Sequence, residues 1–247
     1  MARYKLILAY DGSGFTGSQR QANSRTVQGE LENALRALGW NGRSVIMAGR
    51  TDTGVHATGQ AAAFDFEWAH PEAKLLRAIN AKLPPDLAVR SLHPASADFH
   101  PRFDAVSRTY HYRLFHEPIR DPLREKFAWR VQTPVDGNAL KQNAMIFLGT
   151  HDFAAFGSPT TEKGTTVRTV TNSEWRKKQD GEWQYEVRAD AFLYRMVRRL
   201  VFVQVSLAQG RCPVEDVRHA LSGRGRLPSG LAPANGLTLV QVEYGSY

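Results

Sequence analysis

Strand-like and helix-like segments alternate along this chain of 247 residues in an order that recurs, and that recurrence narrows the fold more than any other feature. Residues 4–10 form an apolar, strand-like run ended by the turn signal Asp11-Gly12. Residues 13–25 are rich in Gly, Ser, Gln and Arg and read as a loop. Thr26 is a capping residue for a helix opening at Val27; Leu31, Ala34, Leu35 and Leu38 follow at helical spacing, and Gly39 stops it. A short strand is expected over 44–48, a loop over 49–56 and a strand over 59–66. His70-Pro71 opens a helix to about residue 80, and 87–92 reads as a strand. The order is β-α-β-β-α-β.

The second part repeats the outline. It has a long strand over 105–115, a helix over 138–148, and a hairpin of 166–178 with 182–189 joined at Gln179-Asp180-Gly181-Glu182. Helices over 192–209 and 214–222 and a strand over Leu237–Tyr244 close it. In the long strand Tyr110 and Tyr112 fall on one face, Thr109 and His111 on the other. The expected fold class is α+β: two similar β-α-β-β-α-β-like halves forming mixed, largely antiparallel sheets backed by helices. The boundary falls within 94–103, which gives halves of 1–100 and 101–247.

Hydrophobic residues make up 42% and charged residues 23%, enough for a packed core. No apolar run approaches the ~18 residues of a membrane span. The run Leu6-Ile7-Leu8-Ala9 is too short for a signal-peptide core, so the expected location is cytoplasmic, with no membrane partner. The single cysteine, Cys212, excludes an intrachain disulfide and a Cys-based zinc site. The eight histidines form no His-Glu-x-x-His helix, and no P-loop, dinucleotide fingerprint or Gly-x-Ser-x-Gly elbow occurs. A metal site built from scattered His and Asp stays open, although no motif signals one; if the chain is an enzyme, the expectation is an activity built from side chains alone.

The net charge is +8. Of the 32 basic residues 24 are arginine, whose planar fork grips phosphate and stacks on bases. The surplus points to a polyanion such as nucleic acid, although a generally arginine-rich composition would give the same figure.

The most informative stretch is Gly49-Arg50-Thr51-Asp52-Thr53-Gly54-Val55-His56, a polar core between glycines and between two strands. One reading is an acid held on a tight loop beside a cation that keeps it ionised, able to act as nucleophile or base at a sugar carbon. The other is an Asx-turn beside a solvated Arg50. The loop alone does not separate them.

Residues 50–57, Arg-Thr-Asp-Thr-Gly-Val-His-Ala, resemble the signature of the tRNA pseudouridine synthase A (TruA) family. Further segments match in order: Tyr10-Asp11-Gly12 with Gly17 and Gln19-Arg20-Gln21, Thr26-Val27-Gln28, Asp98-Phe99-His100 with Arg102-Phe103, and Arg108-Thr109-Tyr110. Phe192-Leu193, Met196-Val197-Arg198, and Ala232-Pro233-Ala234 with Gly236-Leu237 complete the set, which spans almost the whole chain. Ser18 stands where the family usually has Trp, Thr53 where Ala is common and Pro101 where a small residue is usual.

The resemblance implies isomerisation of uridine to pseudouridine at positions 38, 39 and 40 in the tRNA anticodon stem-loop, in an active-site cleft between the halves, without cofactor or metal. It implies a homodimer with one RNA spanning both subunits. By the same resemblance Asp52 is the catalytic carboxylate, through attack on C1′ or removal of the C2′ proton. Tyr110 is the active-site tyrosine, able to stack on uracil and relay a proton. Arg198 is the helix arginine that pairs with the aspartate. At about 100° per residue it falls between Val205 and Phe202 on the apolar side, where a charge needs a partner, while Arg195 and Arg199 turn toward the polar side. Leu237 is a candidate apolar wall, and Arg50, Arg20 and Arg102 are candidate RNA contacts. The alternative is a non-catalytic RNA-binding module, which has no need of the acid loop. A sugar hydrolase would need two paired carboxylates, and only Asp52 is a strong candidate.

Overall fold

The computed structural model describes residues 1–161, 164–178 and 181–245. In chain order the elements are β1 (Ala2–Tyr10), α1 (Val27–Arg36), β2 (Ile46–Met47), β3 (His56–Phe66), α2 (Glu72–Asn80), β4 (Leu87–Ala95), β5 (Ala105–His116), β6 (Trp129–Val131), α3 (Gly137–Ala144), β7 (Gly149–Asp152), β8 (Val167–Lys177), β9 (Trp183–Ala189), α4 (Met196–Ala208), α5 (Val214–Leu221) and β10 (Leu237–Tyr244). The chain divides into two compact units. One contains Met1–Val106 and the last strand from Thr238 on; the other is Ser107–Leu237.

In the first unit the strand order is β4-β1-β3-β10, with β2 also on β3. β1 alternates as a half-buried strand should: Tyr4, Leu6, Leu8 and Tyr10 are buried, while Arg3, Lys5 and Ile7 between them are half-buried. β3 is buried along nearly its whole length, and the small Ala61, Ala62 and Ala63 suit a strand covered on both sides. It pairs antiparallel with β1 and β2 and parallel with β10, where Thr238 lies opposite His56. α1 starts where Thr26 Oγ1 accepts from Gly29 N (3.2 Å). It stops where Gly39, at φ +93°, donates to Arg36 O (3.0 Å).

In the second unit β5-β9-β8-β7 pair antiparallel and β6 runs parallel to β5. The antiparallel triplet β5-β9-β8 repeats the β1-β3-β2 pairing of the first unit. The expected mixed, largely antiparallel α+β architecture is what the structure has. One face of the sheet carries Tyr112, Tyr185, Val187 and Trp175 into the core. Buried polar groups fasten helices to it. Ser173 Oγ donates to Ala144 O of α3 (2.7 Å), and Trp175 Nε1 donates to Gln204 Oε1 of α4 (2.8 Å).

Several elements depart from the expected bounds. The hairpin of β8 and β9 forms, but Gln179 and Asp180 of its turn lie outside the described residues. The helix expected from residue 192 begins at Met196. Tyr194 is held instead in a bridge to Ser158, its N–H donating to Ser158 O (2.9 Å), and Arg195 turns the chain at φ +63°. The helix expected over 138–148 ends at Ala144 and passes through a 3₁₀ turn that buries Phe147 before the unforeseen β7.

Arg25 donates both guanidinium nitrogens to Asp86 (2.7 and 2.8 Å), tying the 11–25 loop to the start of β4. That hydrogen-bonded charge holds the Asp86 carboxyl below its ordinary value of 3.8. A lowered folded pKa adds stability that is present above the unfolded value and lost as pH falls through the folded one. Denaturation of Asp86→Asn should therefore show a loss of about 1 kcal/mol at pH 7, discounted for solvent screening, that vanishes in acid below the lowered carboxyl value. A second test concerns β10. A Cβ on Gly59 would lie 2.1 Å from Val240 O, a backbone atom that cannot step aside, whereas one on Gly49 meets nothing within 4 Å. Gly59→Ala should cost at least about 1–3 kcal/mol in denaturant unfolding, and Gly49→Ala should stay within about 1 kcal/mol of wild type.

Candidate active site

The Asp52 loop joins β2 to β3 and is gripped at the residue before the aspartate. Thr51 N donates to Ser18 Oγ (2.8 Å), and Ser18 N donates back to Thr51 O (3.1 Å). The Thr51 hydroxyl meets the Tyr10 hydroxyl at 2.9 Å in a buried setting. Burial pushes the Tyr10 phenol up to about 12, so it keeps its proton as a hydrogen-bonding group. After the aspartate, Val55 N donates to Asp52 O (3.1 Å), and Gly54, at φ +79°, supplies the left-handed step that closes the turn. Asp52 is half-buried between buried Thr51 and exposed Thr53.

The 10–18 segment can approach so closely because it carries glycines. A Cβ on Gly12 would lie 2.1 Å from Val55 O. Gly17, at φ +81°, brings its Cα against Thr51 O, where a Cβ would sit at 3.0 Å. Gly49 has no such role: its φ is not positive and space is open around it. Of the two glycines bounding the loop, only Gly54 is demanded by the backbone.

In the second unit Tyr110 shares a strand face with Tyr112, whose ring meets Gly236, the residue before Leu237, and whose phenol feels the Arg198 charge. β5 places Tyr110 opposite Val187 and Tyr112 opposite Tyr185 on the same face, as strand alternation predicts. The half-buried Tyr110 ring meets Phe192 edge-on, with centroids 5.1 Å apart. Tyr112 is fully buried and donates to Pro233 O (2.9 Å). Burial raises its phenol well above the usual range, and the Arg198 charge opposes that rise. Arg198, from α4, is half-buried; its Nε donates to Ala232 O (2.8 Å) and its carbonyl accepts from Ala232 N (3.3 Å). Gly236 packs on the Tyr112 ring, where a Cβ would lie 2.6 Å from Cζ, and buried Leu237 follows it. Asn235 donates to Ala128 O (3.2 Å) and anchors the same segment. Arg199 is half-buried like Arg198, which the helical wheel did not foresee; it donates to Gly230 O (2.8 Å), and burial lowers its pKa.

The remaining arginines differ in setting. Arg50 is exposed beside Asp52 in sequence. Arg20 pairs with Glu32 (2.6 Å), a carboxylate that is completely buried in α1 and also accepts from Val45 N and Gln28 Nε2 (3.0 Å each). Arg102 is half-buried next to exposed Phe103. Sequence reasoning missed the anchors: Ser18, Thr51, Tyr10, Tyr112 and the Pro233 carbonyl. Their motifs were visible, but a hydroxyl that fixes a distant backbone leaves no periodic signal. Among the described residues, no group of three or more His, Cys, Asp or Glu is placed to hold a metal ion, and no helix is long and apolar enough to cross a membrane.

A family model described as tRNA pseudouridine synthase matches residues 6–104 and 144–245. A protein named tRNA pseudouridine synthase A from Syntrophotalea carbinolica is 39% identical over 246 residues, covering 99% of this chain and 97% of that protein. One of the same name from Limosilactobacillus fermentum is 37% identical over 251 residues, covering 100% and 97%. Another, from Chloroflexus aurantiacus, is 40% identical over 251 residues, covering 99% and 89%. Among solved structures, a chain in a crystal structure of a Cbf5-Nop10-Gar1 complex aligns at 11% identity and TM-score 0.36, over 96% of this chain and 48% of that one, about half its length. The match over nearly the whole length of several synthases decides the assignment: the chain belongs to the tRNA pseudouridine synthase family, a family of isomerases.

Proposed function

We propose that this protein converts uridine to pseudouridine at positions 38, 39 and 40 of the tRNA anticodon stem-loop, with Asp52 as the catalytic carboxylate. The observation that carries the reading is the Asp52 turn, fixed on one side by the Ser18 and Tyr10 bonds to Thr51 and on the other by Gly54. A carboxylate on such a turn is positioned before substrate arrives, which is what chemistry at a sugar carbon requires. In the reaction the C1′–N1 bond breaks, the uracil turns, and a C1′–C5 bond forms. The hydrogen displaced from C5 is balanced by one gained at N1, so nothing is consumed but the RNA. Asp52 serves either by adding to C1′ until the turned base displaces it, or by taking the C2′ proton to leave a glycal that the base re-enters.

The reading gives Tyr110 the face of the uracil and the C5 proton, Leu237 an apolar wall, and Arg198 the task of keeping the aspartate ionised. Fixing Arg198 Nε on Ala232 O supports this, since that bond holds the guanidinium in a defined orientation. Arg50, Arg20 and Arg102 are assigned to the RNA, Arg20 through the donors that Glu32 leaves open. A target base inside a stem must leave the stack first, at about a few kcal/mol, and phosphate contacts supply that binding energy. The working form in this reading is a cytoplasmic homodimer.

Purified protein incubated with unmodified tRNA transcripts should produce pseudouridine at these positions, and absence of product across several transcripts would defeat the assignment. Asp52→Asn should lower turnover by about 10²- to 10⁴-fold or more while tRNA affinity holds. A catalytically silent RNA-binding module would instead show no turnover before the substitution. Arg198→Met should nearly abolish turnover, and a normal rate in that variant would remove Arg198 from the mechanism.

A further inference from the structure

Between β4 and β5, residues 98–104 form a tight loop in the first unit. Its backbone is fastened from several directions. Arg3 Nη1 donates to Phe99 O (3.0 Å), and the Tyr244 hydroxyl donates to Pro101 O (2.9 Å). The buried Phe99 ring meets Tyr244 at 5.1 Å between centroids. His100 N donates to Asp104 Oδ2 (2.7 Å), and Asp104 N donates to His100 O (3.1 Å). Within the loop, His100 Nδ1 accepts from the N–H of both Arg102 and Phe103 (3.2 Å each), which leaves the ring proton of a neutral imidazole on Nε2. None of these bonds uses the Phe103 side chain.

That side chain nevertheless has a defined place. Its ring stacks on His100 with centroids 4.2 Å apart and 28° between planes. The Arg102 guanidinium lies 5.8 Å from its centroid. Phe103 is 75% exposed. A loop built this firmly presents a large aromatic face to water, backed by a second ring and edged by a cation. Each half of that arrangement suits single-stranded RNA: aromatic faces stack on bases of any identity, and guanidinium groups hold the neighbouring phosphate.

We propose that the exposed face of Phe103 is a stacking platform for an unpaired base of the RNA, with Arg102 on the adjoining phosphate. The proposal rests on the reading of the chain as a tRNA-modifying enzyme and names a contact within it. The His100 stack holds the ring in one orientation before binding, so little rotamer freedom is lost when a base lands on it.

The test compares Phe103→Ala, Phe103→Leu and Phe103→Trp with wild type by tRNA Kd, its salt dependence, pseudouridine turnover and thermal midpoint. The platform predicts a Kd about 5- to 150-fold weaker for Ala, a similar loss for Leu, which keeps bulk without a π face, and recovery for Trp. The salt slope should not change, because stacking releases no counterions, while Arg102→Gln should lower it by about 1. Kd values for Ala and Leu within about twofold of wild type overturn the proposal. So does unchanged tRNA affinity with a shift in oligomeric mass, which assigns the ring to a protein contact. If Ala lowers the thermal midpoint, the Leu and Trp pair decides. Wild-type protein that binds tRNA but makes no pseudouridine sinks the catalytic reading and leaves the platform to its Kd; normal turnover with unaltered Phe103 variants sinks the platform alone.

Discussion

Thr51 is the point on which the placement of Asp52 depends. Its N–H, carbonyl and hydroxyl all bond to Ser18 or Tyr10, and all three residues are buried. Each bond adds only about 1 kcal/mol, but a loop that moved away would leave several buried polar groups unsatisfied at about 1–3 kcal/mol each. The cost of leaving, more than the gain of staying, restricts the turn to one conformation. Gly12 and Gly17 make the grip possible, because a side chain at either would strike Val55 or Thr51. Ser18 puts a hydroxyl where the Thr51 N–H needs an acceptor.

The second unit uses the same device with a different residue. Tyr112 is buried and donates to Pro233 O, which fixes the segment leading to Gly236 and Leu237. Arg198 clasps the preceding Ala232 with side chain and backbone together. A guanidinium at the edge of a core is tolerated because its Nε meets the Ala232 carbonyl, next in the chain to the Pro233 carbonyl that the phenol holds. In both units a hydroxyl on a sheet strand, Tyr10 on β1 and Tyr112 on β5, fixes a distant segment: the Asp52 turn through Thr51 in one, the Pro233 end of the 3₁₀ turn Ala234–Gly236 in the other. Of Asp52, Tyr110, Arg198 and Leu237, only Asp52 lies on a loop that a strand holds in place; Tyr110 is on β5, Arg198 on α4 and Leu237 opens β10.

What could be read directly from the residues was local. The start of α1 at Thr26 and its stop at Gly39 depend on groups within one turn of each other. The shared face of Tyr110 and Tyr112 follows from the period of a strand. Where the reading erred, a distant partner had intervened. Phe192–Arg195 continues the apolar helical pattern, yet Ser158 holds Tyr194 in a bridge and delays α4 to Met196. Nor does the sequence show that Arg20, still a candidate RNA contact, also pairs with the buried Glu32 of α1. Gly49 and Gly54 look alike as letters, and only the backbone angles show that one is required.

The residues by themselves determined the alternation of strands and helices, the basic surplus, and the ordered motifs that place this chain among tRNA pseudouridine synthases, because period, charge and short motifs are properties of neighbours in the chain. Tertiary structure alone decided that β10 returns to run parallel beside β3, that Gly59 makes room for it, and that Thr51, Glu32 and Tyr112 become buried anchors. The reason is that strand pairing and the satisfaction of buried polar groups join residues far apart in the chain. Which distant group supplies each missing hydrogen bond is settled only when the whole unit closes around it.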